Sequence, residues 1–308
     1  MSKNLSRPVI FGEVLFDQFP DESSVLGGAP FNVAWHLQGF GLHPIFISRI
    51  GDDKLGKQVT KAMDEWGMDS SGLQIDAHHA TGIVKVSIDD GQPSFDIVAD
   101  QAYDHIDLEA SLNALDGSDY SLIYHGSLIA RSDSSRLALA GVRQQIQLPC
   151  FVDLNLRPPW CDTNWIEQTL KLSQWIKLND LELAGMRNQP GLESDSQSLK
   201  REACKLQQEL GVKMLILTRG ANGALLVDHA GRLVEAKPVP VAHMADTVGA
   251  GDAFSAVMIL GILRDWSKEA CLSRASAFAS SVCAMRGATG FDPTLYANHL
   301  AEWNGANE

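Results

Sequence analysis

Apolar residues along this chain follow two rhythms, short near-continuous runs and longer stretches at helical spacing. "PVIFGEVLF", "PIFISRI", "SLIYHG", "CFVDLN", "WIKLN" and "KMLILT" make up the first kind. Several are apolar at nearly every position, which predicts parallel strands covered on both faces. Between them, "KLGKQVTKAMDEW" sets Leu55, Val59, Ala62, Met63 and Trp66 on one helical stripe. "SSRLALAGVRQQIQ" and "KREACKLQQELG" behave likewise. The alternation of strand and helix predicts a doubly wound α/β sheet.

Two segments interrupt that alternation. "TGIVKVSIDDGQPSFDIV" (Thr81–Val98) is a pair of alternating runs joined by Asp90-Gly91, a hairpin signal, and "GALLVDHAGRLVEA" (Gly223–Ala236) reads as a second hairpin. An early hairpin in a parallel α/β domain is either a small covering sheet or an edge extension of the main one. No long linker, low-complexity tract or repeat divides the chain. The expectation is a single domain over residues 1–308 with a small β lid built from insertions at about 14–26 and 81–104.

Composition then narrows the class. Of 308 residues 45% are hydrophobic and 20% charged, as in soluble globular proteins. A formal net charge of −13 argues against a nucleic-acid or anionic-membrane partner, so an anionic substrate needs a local device such as a helix N-terminus or a metal ion. Five scattered cysteines without C-x-x-C spacing predict reduced thiols in a cytoplasmic protein. The N-terminal stretch lacks the pattern of a signal peptide, and the longest apolar run, Ala253–Leu263, is too short to span a bilayer.

In open α/β sheets, ligands gather beyond the carboxyl ends of the strands, and several chemistry-bearing residues fall there. Asp17 ends the first run, followed by Gly27-Gly28 and a helix that starts at Pro30 and carries Asn32. Such residues either hold a polyol or build a turn and a helix cap. In "DLNLRPPW", Asp153, Asn155 and Arg157 alternate and share one direction if the strand persists, which suits a phosphate or sugar site or a structural ion pair. Asn179 and Glu182 are spaced as a capping box or a metal-associated pair. Thr218, Gly220 and Gly223 either let backbone amides meet a nucleotide or turn the chain into the second hairpin. Finally, "ADTVGAGDAFSAVMILGIL" sets Gly249, Gly251 and Asp252 at the head of an apolar helix, which is also how an ordinary buried helix begins.

Taken in order, these stretches resemble the PfkB, or ribokinase-like, family of carbohydrate kinases. "DTVGAGDAF" is similar to its C-terminal signature, and "GGAPFNVAWHLQGFG" with "GDDKLG" to its N-terminal one. The resemblance runs from about Ile10 to about Pro293, and "GEVLFDQFP", "PSFDIV", "QAYD" and "DLNLRPPW" look most like bacterial fructokinases. It implies a ribokinase-like fold and an ATP-dependent kinase that phosphorylates a sugar primary hydroxyl, D-fructose first. On that resemblance Asp252 is the catalytic base, and Gly249, Ala250 and Gly251 form an anion hole for the γ-phosphoryl group. Asp17, Gly27, Gly28, Asn32 and Arg157 bind the sugar, with Phe95 and Tyr103 from the lid. Asn179, Thr218, Gly220, Gly223 and Thr247 contact ATP. Glu182 helps to organise Mg²⁺ through water, while Asp246 and the Val248 carbonyl match positions that hold K⁺. The lid strands offer edges for a homodimer.

"YHGSL" stands where ribokinases present an acid to the sugar, which argues against ribose. His43, His78, His79 and His105 read as surface or lid residues without a catalytic role. Rival readings are a kinase of 2-keto-3-deoxygluconate, another ketose or a nucleoside, and a non-catalytic sugar-sensing protein on the same fold. A nicotinamide-dependent dehydrogenase is disfavoured, because no G-x-G-x-x-G follows the first strand.

Overall fold

A computed structural model describes residues 6–89, 92–115, 117, 119–241 and 244–305. The first strands are β1 (Arg7–Phe11), β2 (Leu15–Gln18), β3 (Ser24–Gly27), β4 (Ile45–Gly51), β5 (Leu73–Asp76), β6 (Gly82–Asp89) and β7 (Gln92–Ile97). They are followed by β8 (Tyr120–His125), β9 (Cys150–Asp153), β10 (Trp175–Asn179), β11 (Met214–Thr218), β12 (Ala224–Asp228) and β13 (Leu233–Ala236). The α-helices are α1 (Ala29–Gly39), α2 (Lys54–Glu65), α3 (Leu108–Ala114), α4 (Asp133–Ile146) and α5 (Thr163–Lys171). The chain continues through α6 (Asp180–Met186), α7 (Ser196–Leu210), α8 (Ala250–Leu263), α9 (Lys268–Cys283) and α10 (Pro293–Gly305).

Among the described residues one sheet has nine strands in the order β13-β12-β11-β10-β9-β8-β1-β4-β5. From β11 to β5 each neighbouring pair is parallel, and the β12–β13 hairpin adds to one edge antiparallel. Side chains alternate along each strand, so every parallel strand feeds two cores. Ile10, Tyr124, Phe151 and Ile216 pack with residues of α1, α8, α9 and α10 on one face. Phe11, Ile123, Val152 and Leu217 pack with residues of α4, α5, α6 and α7 on the other. Two-sided burial explains why these runs are apolar at nearly every position. Helix α8 is apolar all round because it lies between α1 and α9, with Asp252 to Gly261 buried.

A second, four-stranded sheet has the order β3-β2-β6-β7. Here the structure corrects one expectation. "PVIFGEVLF" is two strands in two sheets, with a break at Gly12, where an added Cβ would run into the Pro30 ring. Asp17 therefore lies on β2 in the small sheet, and does not end the first strand of the large one. The two hairpins divide between the two options open to them. β6–β7 joins the small sheet, while β12–β13 extends the large one. The Asp90-Gly91 turn lies outside the described residues. No helix among the described residues is long and apolar enough to cross a membrane.

Candidate active site

Residue Gly249 caps α8 with φ 80 and ψ −6, a left-handed geometry that glycine takes without strain. A Cβ there would overlap Ala288, so the close approach of the chain after α9 requires glycine. No side chain caps this helix end. The amides of its first turn lack intrahelical partners and point out at the positive end of the helix dipole. Gly251 is exposed, and a Cβ on it would sit 3.5 Å from Lys177 Nζ, an ordinary contact. Packing does not demand glycine there.

Asp252, third residue of α8, is 7% exposed. Asn32 Nδ2 donates to its Oδ2 at 2.8 Å, and the Asn32 amide donates to the Gly28 carbonyl at 2.8 Å. The heads of α1 and α8 are thereby tied together. Gly28 has φ 109, and a Cβ on it would approach the Glu13 carbonyl oxygen to 2.7 Å, so the crossing of α1 over the 12–14 segment needs glycine. A Cβ on Gly27 would meet only Asn32 Oδ1, at 3.9 Å. Burial pushes the Asp252 carboxyl up to about 6. The Asn32 bond opposes the rise, Asp153 adds to it, and the Lys177 and Arg157 charges oppose it.

Near the glycine turn lies a polar cluster built on Asp153, whose partners Lys177, Ser255 and the nearby Glu13 were not singled out from the sequence. Asp153 and Lys177 are cross-strand neighbours, and Lys177 Nζ donates to Asp153 Oδ2 at 2.7 Å in a buried ion pair. The Ser255 hydroxyl lies 2.8 Å from the same oxygen and 3.0 Å from the Gly251 carbonyl. Glu13, on the crossing from β1 to β2, is buried, and its Oε2 has no hydrogen-bond partner among the described residues. Burial pushes its carboxyl up to about 7, against its own backbone amide and the Arg157 charge. The available signal was a charge inside an apolar strand run, Lys177 in "WIKLN" and Glu13 in "FGEVLF". Such a group must find a partner or a function once buried.

The expected alternation of Asp153, Asn155 and Arg157 does not occur. β9 ends at Asp153, and Asn155 turns the chain with a left-handed φ of 42, so the three side chains do not share a strand face. Asp153 takes the ion-pair alternative. Arg157 is exposed and makes no ion pair within 4.0 Å among the described residues. Its charge nonetheless opposes the upward push of burial on the carboxyls of Glu13, Asp17 and Asp252. Asp17 is half-buried, and burial raises its carboxyl pKa. Phe95 is exposed on β7. Tyr103 is fully buried in the core, packed beside Gly82, with the Arg131 guanidinium 4.8 Å from its ring centre. It supports the base of the small sheet from below.

Asn179 and Glu182 form the capping box of α6. Glu182 N donates to Asn179 Oδ1 at 2.8 Å, and Asn179 N to Glu182 Oε2 at 2.8 Å. Glu182 Oε1 accepts the Leu156 amide at 2.6 Å. With each oxygen already accepting an amide, this carboxylate fits a water-mediated metal contact better than direct ligation. Thr218 lies opposite Asn179 in the strand register. Gly220 faces open space, whereas Gly223 at φ 82 packs on the Ala236 carbonyl. On the segment before α8, Asp246 accepts from Val248 N at 3.0 Å and Gly287 N at 3.4 Å, and the amides of Ala245 and Asp246 donate to the Cys283 carbonyl. Thr247 and Val248 are exposed there. Both Asp246 oxygens therefore accept backbone amides, which fixes the carboxylate in this turn.

Comparison with known proteins matches the profile described as pfkB family carbohydrate kinase to residues 10–295. An uncharacterized sugar kinase of Pyrococcus horikoshii is 29% identical over 273 residues, 88% of this chain and 81% of that one. Its crystal structure in complex with ATP superposes with a TM-score of 0.74 at 25% identity, covering 91% of this chain and 93% of that one. A fructokinase of Escherichia coli is 28% identical over 273 residues, 82% of this chain and 83% of the relative. A 5-dehydro-2-deoxygluconokinase of Clostridium botulinum is 24% identical over 283 residues, 88% of this chain and 81% of the relative.

Proposed function

This chain belongs to the pfkB family of carbohydrate kinases, and from that premise we propose that it transfers the γ-phosphoryl group of ATP to the primary 6-hydroxyl of D-fructose. The observation that carries the reading is Asp252, a buried carboxylate fixed by Asn32 in the first turn of an uncapped, glycine-led helix. Asp252 takes the proton from the attacking hydroxyl. Its raised pKa, about 6, makes it a stronger base than an exposed aspartate while leaving it mostly ionised at neutral pH. The first-turn amides around Gly249, Ala250 and Gly251 receive the oxygens of the transferring group, and their orientation is set before charge develops.

Asp17, Gly27, Gly28 and Asn32 hold the sugar hydroxyls at the junction of the two sheets. The small sheet is the lid, with Phe95 on its exposed face closing over the sugar, while Tyr103, fully buried beneath it, packs the lid instead of meeting the sugar as expected. Asn179, Thr218, Gly220, Gly223 and Thr247 line the path of the nucleotide, and ATP as the co-substrate draws support from the ATP complex of the Pyrococcus relative. Glu182 would hold Mg²⁺ through water, and the ion would supply neutralisation of the phosphate charge. Asp246 and the Val248 carbonyl would hold K⁺. All five cysteines are unpaired, which fits a reducing cytoplasm. The edge strands β3 and β7 are where a second copy would pair in a homodimer.

A second acceptor, 2-keto-3-deoxygluconate, draws support from Arg157, a guanidinium without an ion pair that could meet a carboxylate. ADP release measured over fructose, ribose, glucose and that keto-acid decides between them. We expect the highest kcat/KM with fructose, and a clear excess for any rival rejects fructose while keeping the kinase. Asp252→Asn should cost about 10²–10⁴-fold in kcat. Near-normal turnover in that variant, correctly folded, would refute the base assignment, and no turnover in the wild type with any of the four would favour a sensing protein.

A further inference from the structure

We propose that His79, Asp100 and His105 form a site for a borderline divalent transition metal, Zn²⁺ by preference, across the base of the small sheet. His79 lies on the chain entering β6, while Asp100 and His105 lie on the chain leaving β7. The ligand atoms of the three all fall within 4.8 Å of one another. His105 Nε2 is 2.8 Å from Asp100 Oδ1, His79 Nε2 is 3.8 Å from the same oxygen, and the two rings stack with centres 3.6 Å apart. Bonds of about 2.0–2.1 Å at tetrahedral angles set neighbouring ligand atoms roughly 3.3 Å apart. The two distances to Asp100 bracket that value. A metal ion lies in the plane of each imidazole that binds it, so one of these partly exposed rings must turn out of the stack before both nitrogens face a common ion.

The orientation is built in from below. Asp76 is buried, accepts the amides of His78 and His79 at 2.7 and 3.0 Å, and pairs with Arg49 at 2.8 Å. Its Oδ2 also lies 3.1 Å from His79 Nδ1. That contact keeps the proton on Nδ1 and leaves the Nε2 lone pair facing Asp100, the carboxylate–histidine arrangement that supports metal-bound imidazoles. Arg49 also donates to the His105 carbonyl at 2.7 Å, so one guanidinium anchors both histidine segments. Asp100 holds a left-handed φ of 58, uncommon for a residue with a side chain. Two imidazoles and one carboxylate, with room for water, suit Zn²⁺, Ni²⁺ or Cu²⁺ far better than Mg²⁺ or K⁺. Because the ligands come from the β5–β6 crossing and from the chain leaving β7, a bound ion ties those two segments together.

The test is Zn²⁺ titration of the full chain against a chromophoric chelator, beside His79→Ala, Asp100→Asn and His105→Ala. Thermal unfolding checks that each variant is folded. The wild type should bind one Zn²⁺ that millimolar Mg²⁺ does not displace, and each substitution should weaken that site at least 10-fold. Co²⁺ in its place should give the visible absorption of a tetrahedral ion, absent from the variants. No Zn²⁺ bound by the wild type, or equal affinity in all four proteins, overturns the proposal. The readout is metal binding itself, so it is independent of the acceptor sugar.

Discussion

Replacing Gly251 with alanine separates what the fold needs from what the reaction needs. Gly251 is the second residue of α8, and a Cβ there would meet Lys177 Nζ at an ordinary 3.5 Å. Helix propensity then favours alanine by at most about 1 kcal/mol, less in a first turn. For a chain of this size that leaves Tm unchanged or raised by about 2 °C. The new methyl nonetheless stands where the γ-phosphoryl oxygens would meet the first-turn amides. Loss of one such donor typically costs about 10²–10³-fold in kcat. Gly249→Ala should behave in the opposite way. Its φ of 80 costs a residue with Cβ about 1–2 kcal/mol, and the overlap with Ala288 adds about 1–3 kcal/mol of overpacking. Its Tm should fall by several degrees. Circular dichroism melts and coupled ADP release on both variants make the comparison. Wild-type kcat and ATP KM in Gly251→Ala would refute the anion hole, and a large loss of Tm in that variant would refute the packing argument.

Activity should fall as pH drops through about 6, because Asp252 must be ionised to accept a proton. With its carboxyl pushed up to about 7, Glu13 is mostly neutral at that pH, so Glu13→Gln should leave the limb in place, and a limb displaced to lower pH would show that Glu13 is charged there. The same variant tests linkage. Burial raises Glu13 from 4.5 to about 7, so its relative contribution to stability is full below pH 4.5 and is lost as pH rises through 7. Compared with Glu13→Gln, the wild type should lose about 3 kcal/mol across that window, and denaturant titrations at pH 4 and 8 should show it. Lys177→Met strands the buried Asp153 carboxylate and should cost about 3–5 kcal/mol, with much of it recovered on adding Asp153→Leu. Equal melting of Lys177→Met and wild type would mean that the pair is not buried as charges.

The large sheet was legible from the chain because strand and helix periods are local. Residues two apart share a strand face, and residues three or four apart share a helix face, so Ile10 and Phe11 had to enter different cores wherever β1 lay. The glycine turn ahead of Asp252 was legible for the same reason, since cap and helix are neighbours in sequence. Other features depended on contacts that no local period encodes. "PVIFGEVLF" looks continuous, yet it divides between two sheets at Gly12, where Pro30 approaches too closely for a Cβ. "DLNLRPPW" keeps its alternation on paper, but β9 ends at Asp153 and the backbone turns left-handed at Asn155. Gly249 and Gly251 read alike, yet Ala288 makes the first a requirement of packing and leaves the second open. The bonds that assemble the site join Asn32 to Asp252 across 220 residues and Ser255 to Asp153 across 102. Such pairs are chosen by the order of the strands and the helices laid over them, and sheet topology is a property of the whole chain that no short window contains.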